Sequence, residues 1–103
     1  MVDGIIILQP YANQIISGTK KIEYKRRVPP LNKFQTPIYL LSGGKILGTI
    51  MIESWTDHQG TSSSRAEKYV DWKIRVIQKY DKPKKYAHPN GAQVWVLDVK
   101  LAR

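Results

Sequence analysis

Two adjacent glycines, Gly43 and Gly44, constrain the fold of this chain more than any other feature. They separate an apolar run at 38–41 from an alternating stretch at 45–55. Glycine tolerates the positive φ that a two-residue hairpin turn requires, and such turns match the right-handed twist of the flanking strands. Residues 37–55 therefore predict a β-hairpin. Its second strand is expected to carry Leu47, Thr49, Met51 and Glu53 on one face and Ile46, Ile50 and Ile52 on the other.

The remaining segments add strands around one short helix. Residues 4–8 form a continuous apolar run suited to a buried strand. Pro10 fits a first helical position, Ala12, Ile15 and Ile16 make one apolar helical face, and Gly18 suits the left-handed cap, so a helix is predicted over 10–17. Residues 20–26 alternate, with Ile22 and Tyr24 on one side and Lys21, Glu23 and Lys25 on the other, until Pro29 and Pro30 end the element. From Tyr69 onward helical spacing can be drawn through Ala66, Tyr69, Val70, Ile74 and Ile77, but that wheel puts Lys73 inside the apolar arc. Strict alternation of Val70, Trp72, Ile74 and Val76 with Asp71, Lys73 and Arg75 has no such conflict. It predicts a strand over 70–80, preceded by a helical turn near 64–68. Asn90 and Gly91 mark a tight turn, after which Val94, Val96 and Asp98 alternate with Trp95, Leu97 and Val99 in a last strand. The expected class is α+β and mainly β: a small barrel of five or six strands with one or two short helices, built as one domain over residues 1–103.

Composition narrows the function. The chain has no cysteine, which excludes a disulfide scaffold, a thiolate nucleophile and cysteine-type zinc sites. Its N-terminal apolar run, Ile5 to Leu8, is far shorter than a membrane span, and Asp3 stands where a secretory signal would carry a basic residue. A cytoplasmic protein with no membrane partner is expected. A net charge of +9 favours polyanionic partners, because each neutralised phosphate releases condensed counterions. The alternative is that the charge serves only to keep a small protein dispersed.

Gly18, Lys20 and Glu23, following a short apolar helix, resemble the GxKxxExR signature of ASCH domains in the PUA-like superfamily. The arginine position of that signature is Lys25, which keeps the charge but loses the planar bidentate fork. Arg26 and Arg27 follow at once. The similarity continues in order: Gln9, Pro10, Tyr11 and Ala12 after the opening strand, the stretch 45–50 with its glycine step at Gly48, then 72–76 with Pro83 downstream, and Gly91 to Trp95. The resemblance implies a PUA-like barrel with a basic cleft lined by the signature residues, and RNA or a nucleotide-like molecule as ligand. Some members are acetylcytidine amidohydrolases and others are proposed ribonucleases. The amidohydrolase branch uses a lysine, a threonine and a glutamate. Lys20 matches the first, Glu23 stands at the second, and Glu53 or Glu67 is available for the third.

The candidate site follows from these readings. Lys20, Lys21, Glu23, Tyr24, Lys25, Arg26, Arg27 and Trp55 are the candidate ligand-binding residues, with Lys20 and Glu23 catalytic if the protein is an enzyme. Five cations lie within the eight residues 20–27, a natural phosphate contact or, on the alternative reading, a charged strand edge that discourages aggregation. Trp55 closes its strand beside a loop and is expected at the cleft rim, whereas at least one of Trp72 and Trp95 is expected in the core. Asp57 and His58 beside Thr61 to Ser64 make only a weak hydrolase triad, since triads are defined by geometry and not by sequence proximity. His58 and His88 are too widely spaced to suggest a metal motif, and no cofactor is expected. Lys79, Lys82, Lys84 and Lys85 form a second basic cluster around Pro83, either an extension of a phosphate track or a solvated loop.

Overall fold

The computed structural model describes residues 1–57 and 69–102. The expected helical turn at 64–68, the Ser-rich loop at 60–64, His58 and Glu67 lie outside the described residues. Among the described residues the chain runs β1 (Gly4–Ile6), α1 (Tyr11–Ile16), β2 (Ile22–Lys25), β3 (Ile38–Ser42), β4 (Lys45–Asp57), β5 (Val70–Lys85) and β6 (Trp95–Val96). No helix among them is long and apolar enough to cross a membrane.

The six strands form one sheet in the order β2-β5-β4-β3-β1-β6, antiparallel except for the parallel pair β1 and β3. Trp72 on β5 and Trp95 on β6 are four places apart in that order, yet their rings stack with centroids 6.3 Å apart. The sheet is therefore curled into a half-barrel whose two sides meet through these tryptophans. Trp72 is buried and Trp95 half-buried, as a core role for at least one of them requires. Helix α1 closes the concave side, inserting Ala12, Ile15 and Ile16 among Ile5, Ile38, Leu40, Ile50, Ile52 and Ile74. A smaller cluster of Leu41, Ile46, Tyr86 and Val96 lies separate from this core.

The helix and the hairpin follow the sequence closely. Gly18 adopts φ 84°, the left-handed conformation that ends α1, and Gly43 and Gly44 take φ 59° and 77° at the hairpin turn. Gly48 meets a different demand. A Cβ there would collide with the Gln78 carbonyl oxygen and with Ile16 Cδ1, so its absence lets β5 and α1 approach β4.

Three expectations are corrected. Leu47 does not share a face with Thr49 and Met51; it joins Ile50 and Ile52 in the main core, while Ile46 enters the smaller cluster. The cause is a register shift: Leu40 pairs with Gly48 and Leu41 with Ile46, so Leu47 is bulged out and the alternation changes phase there. The strand predicted over 70–80 runs on to Lys85, through Pro83. Lys79 pairs with Gly48 and Lys84 with Ile46, so the proline falls in a bulge where no ladder N–H is needed. The last strand is shorter than expected. It stops at Val96 because Asp98 turns to φ 50° and gives its N–H to Asp3 Oδ1 at 2.8 Å.

Candidate functional site

The signature segment is fixed by backbone bonds at both ends. The Lys20 N–H donates to the Gln14 carbonyl at 2.9 Å, folding the chain back beneath α1, and the Ile74 N–H donates to the Lys21 carbonyl at 2.8 Å, joining the segment to β5. From there β2 pairs with β5 in a register that sets Glu23 opposite Trp72 and Lys25 opposite Val70. Trp72 is in turn opposite Trp55 on β4. Directly paired residues share a face, so Glu23, Trp72 and Trp55 form one row across three strands. Its middle member is buried, and its outer tryptophan is 40% exposed.

Lys20 is held between aromatic rings and a carboxylate. Its Nζ lies 4.7 Å from the Tyr24 ring centroid and 5.8 Å from that of Tyr11, and 3.9 Å from Glu23 Oε1. The Lys20 side chain is 18% exposed and that of Glu23 12%. The ring faces attract the ammonium through their quadrupoles without neutralising it, and the ion pair is too long for a hydrogen bond. The lysine is thus sheltered and oriented, with its donors still able to turn toward an incoming anion.

Beside this group is a cavity of about 270 Å³ between the C-terminal end of α1 and the β4–β5 ladder. Lys20, Lys21, Lys73 and Arg75 supply its cations and Glu53 its one carboxylate. Ile15, Ile74 and Val76 give it an apolar floor. Glu53 reaches this position because β4 shifts register there: Ile52 pairs with Ile74 and Ser54 with Lys73, leaving Glu53 as the extra residue of a bulge.

The structure places the other candidates around this centre. Lys25 Nζ lies 5.9 Å from the Trp72 ring centroid, and Arg26 Cζ lies 5.9 Å from that of Tyr69. Arg27 contributes structurally through its carbonyl, which accepts a 2.9 Å hydrogen bond from Trp72 Nε1. Its side chain is exposed, as are those of Lys21 and Tyr24. Among the described residues no group of three or more His, Cys, Asp or Glu is placed to hold a metal ion. His88 accepts a hydrogen bond at Nδ1 from Tyr86 Oη at 2.7 Å and donates from Nε2 to the Ala92 carbonyl at 3.1 Å, which ties it into the closing loop.

Sequence reasoning missed Lys73 and Arg75 as cavity residues. They appeared only as the polar half of an alternating strand, and nothing local shows that the segment after α1 folds against them. It also missed Lys33. This residue is only 4% exposed, is paired with Asp3 at 2.8 Å and has Nζ 5.7 Å from the Trp95 ring centroid. It lies between proline-bounded loops without periodicity, so no pattern marks it as interior.

The fold and cleft together define a class: a curled, mainly β half-barrel with one helix closing its concave side and a basic cavity at the helix exit. No family model matches the sequence, and no curated protein matches it. Solved structures do. The ASCH protein of Zymomonas mobilis is similar with a TM-score of 0.60 at 18% identity, over 79% of this chain and 71% of that one. A serine-to-alanine variant of it gives a TM-score of 0.66 at 16% identity, over 98% of this chain and 87% of that one. A tyrosine-to-phenylalanine variant gives 0.60 at 17%, over 81% and 74%. The chain therefore has the ASCH-type fold that its signature segment led us to expect.

Proposed function

We propose that this protein is a cytoplasmic RNA-binding module that uses the cleft between the end of α1 and the β4–β5 ladder to hold a nucleotide unit. The observation that carries the reading is the cavity itself, where four cations and one carboxylate surround an apolar floor. The exposed Tyr24, whose ring centroid is 4.7 Å from Lys20 Nζ, offers a ring face beside the cavity, and Trp55 offers one on the opposite face of the sheet. Cations position phosphates, a carboxylate accepts from base amino groups, and aromatic rings stack on bases. Lys20, Lys21, Lys25, Arg26 and Arg27 act as the phosphate-facing set and Glu23 as the anchor of Lys20.

Fluorescence anisotropy with short single-stranded and hairpin RNAs at two salt concentrations tests this directly. Wild-type affinity is expected to fall as salt rises, since phosphate contacts release counterions. Lys20→Ala is expected to weaken binding about tenfold more, the order of one lost charge-assisted hydrogen bond. Equal affinity in the two proteins, or no binding by either, overturns the reading.

One observation favours a second function. Glu53 lines the same cavity as Lys20, which supplies the acid that a lysine-dependent amidohydrolase of acylated cytidine would need. In that case Lys20 activates water or the substrate carbonyl and Glu53 transfers a proton. Turnover of acetylcytidine that survives Lys20→Ala excludes this mechanism.

A further inference from the structure

The helix-exit cavity is not isolated. A second cavity of about 280 Å³ lies on the other flank of α1, lined by Asn13, Ser17, Lys79, Tyr80, Asp81 and neighbouring apolar groups. Strand β5 passes both. Lys73 and Arg75 border the first cavity, and Lys79, Tyr80, Asp81 and Pro83 border the second. The second cavity lies where β5 bulges: it advances five positions, from Lys79 to Lys84, while β4 advances two, from Gly48 to Ile46. The additional chain forms a wall facing α1.

Beyond that wall the positive charge continues. Residues 73–85 carry six cations, Lys73, Arg75, Lys79, Lys82, Lys84 and Lys85, against the single carboxylate of Asp81. Lys45, paired in register with Lys85, adds a seventh. All seven are exposed, and Lys84 lies 5.3 Å from the Tyr80 ring centroid. Among the described residues none of these cations has an ion-pair partner. Such a concentration of like charge along one ribbon costs the fold self-repulsion, which a polyanion would relieve. The regular partner strand measures the length of the track. From Ser54, opposite Lys73, to Lys45, opposite Lys85, β4 advances nine residues, about 30 Å at strand rise.

We propose that the β5 ribbon is a phosphate track that holds single-stranded RNA flanking the nucleotide in the cleft, so that the protein's ligand is an RNA segment of several nucleotides and not a mononucleotide. This rests on the RNA reading of the cleft and extends it. The track is a narrow, exposed ribbon, which suits a flexible strand whose backbone follows the lysines.

The test uses the intact chain and RNA oligomers of three, six, nine and twelve nucleotides, with a twelve-base-pair duplex alongside. The variant replaces Lys79, Lys82, Lys84 and Lys85 by Gln, all exposed positions outside the cleft. Wild-type affinity is expected to rise with single-strand length. The fourfold variant should bind the trimer as wild type does, lose at least tenfold in affinity for the twelve-mer, and show a salt slope flatter by about 2 to 3, since each single-strand phosphate contact contributes roughly 0.7. Trimer binding also shows that the variant is folded. Unchanged twelve-mer affinity and slope in the variant overturn the track and leave the cleft standing. Loss of all binding in a fourfold variant whose circular dichroism and urea midpoint match wild type, together with full binding by Lys20→Ala, removes the cleft and leaves the lysine ribbon as the binding surface. Tighter binding of the duplex than of the single strand overturns the single-strand assignment.

Discussion

Two lysines in this molecule have similar neighbours and opposite characters. Lys33 and Lys20 each lie over an aromatic ring and beside one carboxylate. Lys33 is almost fully buried, 2.8 Å from Asp3, which also accepts from the Asp98 N–H. That arrangement joins the segment before β1, the loop before β3 and the chain after β6 into one clasp. Lys20 is 3.9 Å from its carboxylate and keeps part of its side chain in solvent. The difference shows what an ionisable group does here. Where the pair is short and its lysine buried, both charges are committed to each other and to the fold. Where it is too long for a hydrogen bond, the cation is positioned but still available to a ligand.

The largest effect expected from this contrast is on stability. Asp3→Ala leaves the Lys33 ammonium buried without its partner and should cost about 3 kcal/mol, measured by urea denaturation. The same clasp sets an acid dependence. The Asp3 carboxyl is held below its ordinary range, first by the hydrogen bond from Lys33 and then by the Asp98 N–H, against the opposing effect of burial. A depressed carboxylate stabilises the fold fully above the unfolded value of ~3.9 and loses that contribution as pH falls through its lowered folded value. Wild type should therefore show an acid-side decline that Asp3→Ala flattens. A loss below ~1 kcal/mol would mean that Lys33 finds another partner and that the two lysines do not differ in kind.

This contrast could not be read from the sequence, and the reason is register. The signature residues Gly18, Lys20 and Glu23 are local: a helix, its glycine cap and the next strand keep them together whatever the rest of the sheet does. Local patterns also gave the Gly43-Gly44 hairpin and the alternation that made 70–80 a strand despite its helical spacing. What brings Glu53 into the cavity and Leu47 into the core is a pair of separate bulges on β4, and a bulge depends on how two strands match in length and twist. The same holds for β5 continuing through Pro83, since a proline ends a strand in isolation and is tolerated where the ladder is already broken. The parallel pairing of β1 with β3, and the closing contact of Trp72 with Trp95, are likewise long-range and leave no periodic trace. Lys33 is the extreme case, an interior lysine whose partner is thirty residues away in sequence.

The next effect belongs to the open side of the comparison. Trp55 is in the row of Glu23 and Trp72 but is 40% exposed and belongs to neither core cluster, so its loss leaves both cores intact. Trp55→Ala should weaken RNA binding by roughly 2 kcal/mol, within the range of one base–aromatic stack, and shift stability by less than 1 kcal/mol. Titration and denaturation of the same preparation separate the two. A large stability loss with unchanged binding would place Trp55 with the clasp and not with the cleft.

The smallest effect sharpens the comparison at its central pair. Glu23→Gln keeps an oxygen acceptor near Lys20 and removes the charge. An ion pair at 3.9 Å, too long for a hydrogen bond, contributes about 0–1 kcal/mol, so stability should move by less than 1 kcal/mol, in contrast to Asp3→Ala. On RNA affinity two influences oppose each other. Removing a negative charge favours phosphate, whereas releasing Lys20 from its anchor leaves it to sample orientations that miss the ligand. If the anchor dominates, affinity falls about threefold, near 0.7 kcal/mol. A rise in affinity would show that Glu23 only repels the ligand and that Lys20 is oriented by Tyr24 and Tyr11 alone. Unchanged affinity and unchanged stability together would remove Glu23 from the site.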